Sequence, residues 1–137
     1  MVAELVDKIL AANHIYIIGN GGSYANAMHF ANDLIACNCR AHVLDPATLT
    51  AIANDDGYIF TFSEWLNVFG EPGDLLIALS GSGKSPNILG AIDAAEKLEM
   101  RVHKIFGNEL GLDMQSAEEH QLTVAHEVRK CLLSQTA

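Results

Sequence analysis

The sequence predicts an α/β fold, a three-layer α/β/α sandwich on a parallel sheet. Short apolar strands alternate with amphipathic helical stretches, two of the strands run straight into small glycine-rich turns, and each turn opens a helix. Parallel strands need such crossovers, and open sheets of this kind hold ligands outside the carboxyl ends of their strands. Both turns, Gly19 to Ser23 and Ser80 to Ser85, fall at such ends.

Residues 2–12 set Leu5, Ile9 and Leu10 on one side of a short helix, and Ile15 to Ile18 is the first strand. From Ser23 a helix carries Ala27, Phe30, Ala31, Leu34 and Ile35 at three- and four-residue spacings. Ala41 to Leu44 is the second strand, ended by Asp45-Pro46. Thr48 to Ala53 reads as a brief helix and Ile59 to Val68 as another, with Phe62, Trp65, Leu66 and Phe69 on its apolar side as core or subunit interface. Gly70 and Pro72-Gly73 stop it. Leu75 to Leu79 is the third strand, Ser85-Pro86 opens a helix to about Glu99, Val102 to Phe106 is the fourth strand, and a last helix spans Gln115 to Leu133.

At 137 residues, half of them apolar, the chain suits one core and a single domain over residues 1–137. Eight Lys plus Arg against 17 Asp plus Glu leave a net charge of -9, which disfavours nonspecific attraction to nucleic acid or an anionic membrane surface. No apolar run approaches the roughly 20 residues of a membrane span, and the first residues lack a secretory pattern. A cytoplasmic location is therefore expected. Cys37, Cys39 and Cys131 are odd in number and lack Cys-x-x-Cys spacing, so reduced thiols are expected.

The two turns are built for an anion. Backbone N–H groups at a helix N-terminus attract negative charge, and Ser80, Ser82 and Ser85 add hydroxyls around flexible glycines. Gly19 to Ser23 lacks the dinucleotide glycine spacing, and Gly81 to Lys84 is too short for a P-loop, so no nucleotide cofactor is expected. His29 and Asp33 stand four apart on one helix face, and Glu118 and His126 eight apart on the last helix. Converging, these four suit zinc or another divalent ion; left apart, His29 and Asp33 form a surface ion pair. His14, His42 and His103 lie in or beside strands, where a satisfied structural imidazole is expected, and His120 is expected to be solvated.

Taken together, Gly19-Asn-Gly-Gly-Ser23, Asn26-Ala-Met-His-Phe-Ala31, Leu49-Thr-Ala-Ile-Ala-Asn-Asp55, Gly73-Asp-Leu-Leu76, Ser80-Gly-Ser-Gly-Lys-Ser-Pro-Asn87 and the run from Glu119 to His126 resemble the SIS (sugar isomerase) domain family, within it the phosphoheptose isomerases. The resemblance implies a flavodoxin-like SIS fold and aldose-ketose isomerisation of a sugar phosphate such as sedoheptulose 7-phosphate, in a homotetramer with sites at subunit contacts. It implies sugar contacts at Asn20, Gly21, Gly22, Ser23, Asn54, Asp55 and Glu118, and a phosphate loop at Ser80, Gly81, Ser82 and Ser85. One zinc ion per subunit at His29, Asp33, Glu118 and His126 follows from it too, with Asp33 and His126 as acid and base. The family's DnaA-binding replication-initiation relatives supply the other reading, a noncatalytic sugar-phosphate module.

Several departures from that pattern stand out. Asp33 replaces a glutamate, shortening the reach by one methylene, and Glu118 replaces a glutamine. Gly81 stands for a threonine and Lys84 for an asparagine. The family's long amino-terminal helix is largely absent. The stretch 107–117 is too short for its fifth strand, so a sheet trimmed to four or five strands is expected.

Overall fold

The computed structural model describes residues 2–135. Four strands, β1 (Ile15–Ile18), β2 (Ala41–His42), β3 (Leu75–Ser80) and β4 (Arg101–Phe106), form one sheet in the order β2-β1-β3-β4, every pair parallel. Among the described residues, six α-helices surround it: α1 (Val2–Ala11), α2 (Gly22–Ala36), α3 (Pro46–Asp55), α4 (Thr61–Phe69), α5 (Pro86–Lys97) and α6 (Met114–Gln135). Among the described residues, no helix is long and apolar enough to cross a membrane.

The two-residue period of the strands divides the core. Ile15 and Ile17 of β1 and Leu75, Ile77 and Leu79 of β3 pack with Leu5 and Ile9 of α1, Phe30 and Leu34 of α2 and Val128 of α6. Tyr16, Ile18, Leu76 and Ala78 point the other way, onto Phe62, Trp65 and Leu66 of α4 and Ile88, Ala91 and Ala95 of α5. β1 and β3 are buried along their whole length, as strands covered on both faces must be.

From β1 the chain crosses through α2 to β2 on one side; from β3 it crosses through α5 to β4 on the other. Right-handed crossovers in opposite directions put their helices on opposite faces, so α2 and α5 diverge and leave a crevice at the carboxyl ends of β1 and β3. Both glycine-serine turns border that crevice.

Several elements differ from the sequence expectation. β2 pairs only at Ile15 with Ala41 and Tyr16 with His42. Val43 and Leu44 leave the ladder because the Leu44 carbonyl accepts the Tyr24 hydroxyl and Asp45 must cap α3, where its carboxylate accepts the Thr48 N–H at 2.9 Å. The stretch expected as one helix from Ile59 begins as a 3₁₀ turn, Tyr58–Phe60, and Thr61 starts α4 with its hydroxyl on the Tyr58 carbonyl at 3.0 Å. As expected, the stretch 107–117 adds no strand to the sheet; it holds a second 3₁₀ turn, Gly107–Leu110. Leu10, Ile35 and Phe69 are exposed, each at the margin of an apolar arc whose centre is taken by other residues.

Candidate active site

Gly19 ends β1 where only hydrogen fits, since a Cβ there would lie 2.6 Å from the Ser23 backbone. Gly21 caps α2 in a positive-φ conformation (54°) without a side-chain cap, so the first turn of α2 opens on the crevice. Asn20 between them is fixed by a reciprocal amide pair with Asn87, 2.9 Å in each direction. Tyr58 donates its hydroxyl to the same Asn20 oxygen at 2.7 Å, and Asn87 also donates to Thr61 at 3.2 Å. Asn87 is 1% exposed, so this buried amide ties the first turn, the second turn and the start of α4 into one rigid unit.

In the second turn the Ser80 hydroxyl accepts the Gly83 N–H at 2.9 Å and the Ser82 hydroxyl accepts the Lys84 N–H at 3.2 Å. Each hydroxyl keeps its own proton to donate outward. Ser85 is the N-cap of α5, with Pro86 in the first turn, but its side chain makes no capping bond. Asn20, Ser23, Ser80, Gly81, Ser82, Ser85 and Met114 line a cavity of about 60 Å³. The methionine sulfur rests 2.4 Å from where a Cβ on Gly81 would be, so the glycine makes room for α6.

α6 runs beside α2 in one parallel register. The Glu118 carboxylate lies against Gly22, Gln121 donates to Ser23 at 3.0 Å and accepts from Asn26 at 2.9 Å, His126 meets His29, and Arg129 meets Asp33. Gln121, 1% exposed, locks that register. Its side chain interrupts an otherwise apolar seam of Ala117, Ala125, Val128 and Leu132, the sequence signal that marks it.

His29, Asp33 and His126 form a cluster whose ligand atoms lie within 4.8 Å of one another. The two Nε2 atoms are 3.2 Å apart and His29 Nε2 is 3.3 Å from Asp33 Oδ2. Two nitrogens on one tetrahedral zinc, each about 2.0–2.1 Å from the ion, lie roughly 3.3 Å apart, so the donor set fits a divalent cation. Asp33 is 7% exposed, and its Oδ2 is the buried side-chain polar atom among the described residues that lacks a hydrogen-bond partner. An orphaned carboxylate oxygen facing two imidazoles is a costly arrangement unless something binds it.

The structure thus unites three of the four expected metal ligands and separates Glu118. Eight residues of helix put it about 12 Å along the axis from His126, far beyond what one ion bridges. It stands instead at the first turn of α2, its carboxylate against Gly22 and its backbone carbonyl accepting from Asn26 at 2.9 Å. Asn54 and Asp55 sit exposed at the end of α3, joined by a 3.0 Å hydrogen bond. Sequence reasoning named neither Asn87, Gln121, Tyr58 nor Arg129 as a site residue. The remaining histidines take structural places: His14 Nδ1 and His42 Nε2 are 2.9 Å apart, and His103 Nδ1 is 3.2 Å from Lys8. Burial, with Lys8 beside it, pushes His103 down to about 4, and burial with His14 lowers His42. His120 is half-buried rather than fully solvated, at the edge of an apolar hollow with Val124 and Leu110.

The family model described as the SIS domain matches residues 2–107. The phosphoheptose isomerase of Aromatoleum aromaticum is 41% identical over 118 residues, covering 80% of this chain and 60% of that protein. That of Bordetella avium is 36% identical over 138 residues, covering 94% and 67%. The solved phosphoheptose isomerase of Neisseria gonorrhoeae superposes with a TM-score of 0.85 at 28% identity, over 97% of this chain and 83% of that one. The chain spans about three fifths of the length of the first of these relatives. With a four-stranded parallel sheet, helices on both faces and both glycine-serine turns at one crevice, the chain belongs to the SIS domain family.

Proposed function

We propose that this chain is an aldose-ketose isomerase of a phosphorylated sugar, with sedoheptulose 7-phosphate as the leading substrate. The observation that carries the reading is the His29, Asp33, His126 cluster on the same α2 whose first turn opens on a serine-lined anion cavity. His29 stands six residues beyond Ser23, about 9 Å along the helix, so anion binding and proton transfer have separate places. A sugar with phosphate on its far carbon needs that separation. The isomerases among the relatives support the same substrate class.

The α5 end of the cavity holds the phosphate, with Ser80, Gly81, Ser82 and Ser85 supplying hydroxyl and backbone donors. Lys84 adds charge at its rim. Asn20, Gly21, Gly22 and Ser23 contact the sugar, with Asn54, Asp55 and the carboxylate of Glu118 as acceptors for its hydroxyls. Asp33 or His126 takes the C1 proton of the ketose, and the electron pair left behind forms the C1–C2 double bond of an enediol as the C2 oxygen gains a proton from the other residue. Return of a proton to C2 and loss of the O1 proton give the aldose. No nucleotide or redox cofactor enters. His29, Asp33 and His126 would hold a divalent ion such as zinc, which when bound supplies electrostatic stabilisation of developing negative charge. A homotetramer in the cytoplasm, each chain a single domain over 1–137, is the setting we infer. Exposed Tyr58, Ile59, Phe60 and Leu89 near the crevice are apolar surface that subunit contact would cover.

The test incubates zinc-supplemented protein with sedoheptulose 7-phosphate and follows the aldose by NMR. Product is expected. Binding without turnover would replace this reading with the noncatalytic module, and neither binding nor product would remove both.

A further inference from the structure

The two oxygens of Asp33 have different surroundings. Oδ1 lies 3.8 Å from the Nε of Arg129, whereas Oδ2 faces His29 at 3.3 Å and has no hydrogen-bond partner. Arg129 follows His126 by three residues, so the same face of α6 delivers an imidazole to the cluster and a guanidinium to its carboxylate. Arg129 is half-exposed and reaches inward to a carboxylate that is nearly buried. The Asp33 side chain is short, with a single methylene between its Cα and its carboxylate. Its carboxylate therefore stays close to α2, within reach of a group on α6.

We propose that Arg129 is a positioning residue for Asp33: it holds Oδ1 so that Oδ2 alone is presented to the two imidazoles. This role rests on His29, Asp33 and His126 being a divalent-cation centre. Carboxylates that ligate metals are themselves fixed by an outer partner, and loss of such a partner typically costs 10–100-fold in metal affinity. The guanidinium also repels a cation, but for a solvent-exposed charge that opposing effect amounts to only a few-fold. Orientation wins.

The experiment titrates the whole chain with Co²⁺, a spectroscopic stand-in for zinc, and reads the visible absorption of the bound ion. Wild type, Arg129→Met and Arg129→Lys are compared, with thermal unfolding of each metal-free protein alongside. Arg129→Met is expected to bind about tenfold more weakly, at the low end of the range because Arg129 is half-exposed. Arg129→Lys should recover most of the loss, and all three metal-free proteins should unfold within a degree or two of one another, since exposed ion pairs contribute little. Equal or tighter binding by Arg129→Met, or no recovery by Arg129→Lys, overturns the proposal while leaving the cation centre standing. A wild type that takes up no Co²⁺ removes the centre and this role together. Because no sugar is present, none of these outcomes depends on the isomerase assay.

Discussion

His29 and His126 bring ring nitrogens to 3.2 Å, and His14 and His42 bring theirs to 2.9 Å. Distance does not separate the two pairs. The His29–His126 rings meet edge to face on the exposed seam between α2 and α6, and the carboxylate beside them keeps one oxygen without a hydrogen-bond partner. The His14 and His42 rings stack on each other, and His42 stacks on Tyr16, which in turn meets the edge of Trp65. Their neighbouring carboxylate, Asp74, is spent on the backbone: Oδ1 accepts the His14 N–H and Oδ2 the Glu71 N–H, both at 3.0 Å. A histidine pair thus becomes chemically available when its third partner has a lone pair to spare, and becomes a fold element when that partner is saturated.

The largest expected effect separates the pairs by activity. His126→Ala should lower turnover of sedoheptulose 7-phosphate by about 10²–10⁴, the usual worth of a general acid or base, while His42→Ala should change it by no more than about threefold. Equal losses in the two variants would erase the distinction. Next come the carboxylates. Asp33→Asn should cost roughly a hundredfold in turnover yet leave the urea midpoint unchanged or raised, because it removes a buried charge with an unsatisfied oxygen. Asp74→Asn should do the reverse, losing about 1–3 kcal/mol of stability because one of the two backbone N–H groups held by this buried carboxylate loses its acceptor. A destabilised Asp33→Asn would show that its oxygen is structurally satisfied after all.

A comparable loss, about 1–3 kcal/mol, is expected for Asn87→Ala, which strands the amide of Asn20; weaker binding of inorganic phosphate should accompany it. Unchanged phosphate affinity would mean that the amide pair does not shape the crevice. The smallest effect is on pH. His103 and His42 have folded pKa values below their unfolded value near 6.5. Between that value and about 4 the unfolded chain therefore binds more protons than the folded one, so stability present above pH 6.5 is lost as pH falls through this window. Replacing both, His42→Phe with His103→Asn, should flatten the thermal midpoint between pH 7 and 5, and an undiminished slope would assign the acid sensitivity elsewhere.

Much of this architecture is written in local pattern. The apolar runs of β1 and β3, the stops at Gly70 and Pro72-Gly73, and the helix start at Ser85-Pro86 are short-range features, and each was legible in the sequence. β2 was overcalled because Val43 and Leu44 have strand chemistry but no strand beside them; pairing is a property of two segments. Asn87 and Tyr58 escaped notice as site residues because their partner, Asn20, lies 67 and 38 positions away. Glu118 was drawn toward the metal by its spacing from His126, and helix geometry sends the two to opposite ends of one seam.

The sequence by itself determined a parallel α/β sheet, two helix-opening glycine-serine turns on it, and the His29–Asp33 pair, because each depends on residues within a few turns of one another. Only the tertiary structure decided what meets that pair. The α2–α6 register, locked by Gln121 against Ser23 and Asn26, brings His126 and Arg129 to Asp33 and leaves Glu118 at Gly22. Side-chain period sets which face a helix buries, but the offset between two helices is set by the contacts they make across about a hundred residues of chain. The same offset decides which histidine pair has a carboxylate with an oxygen to spare.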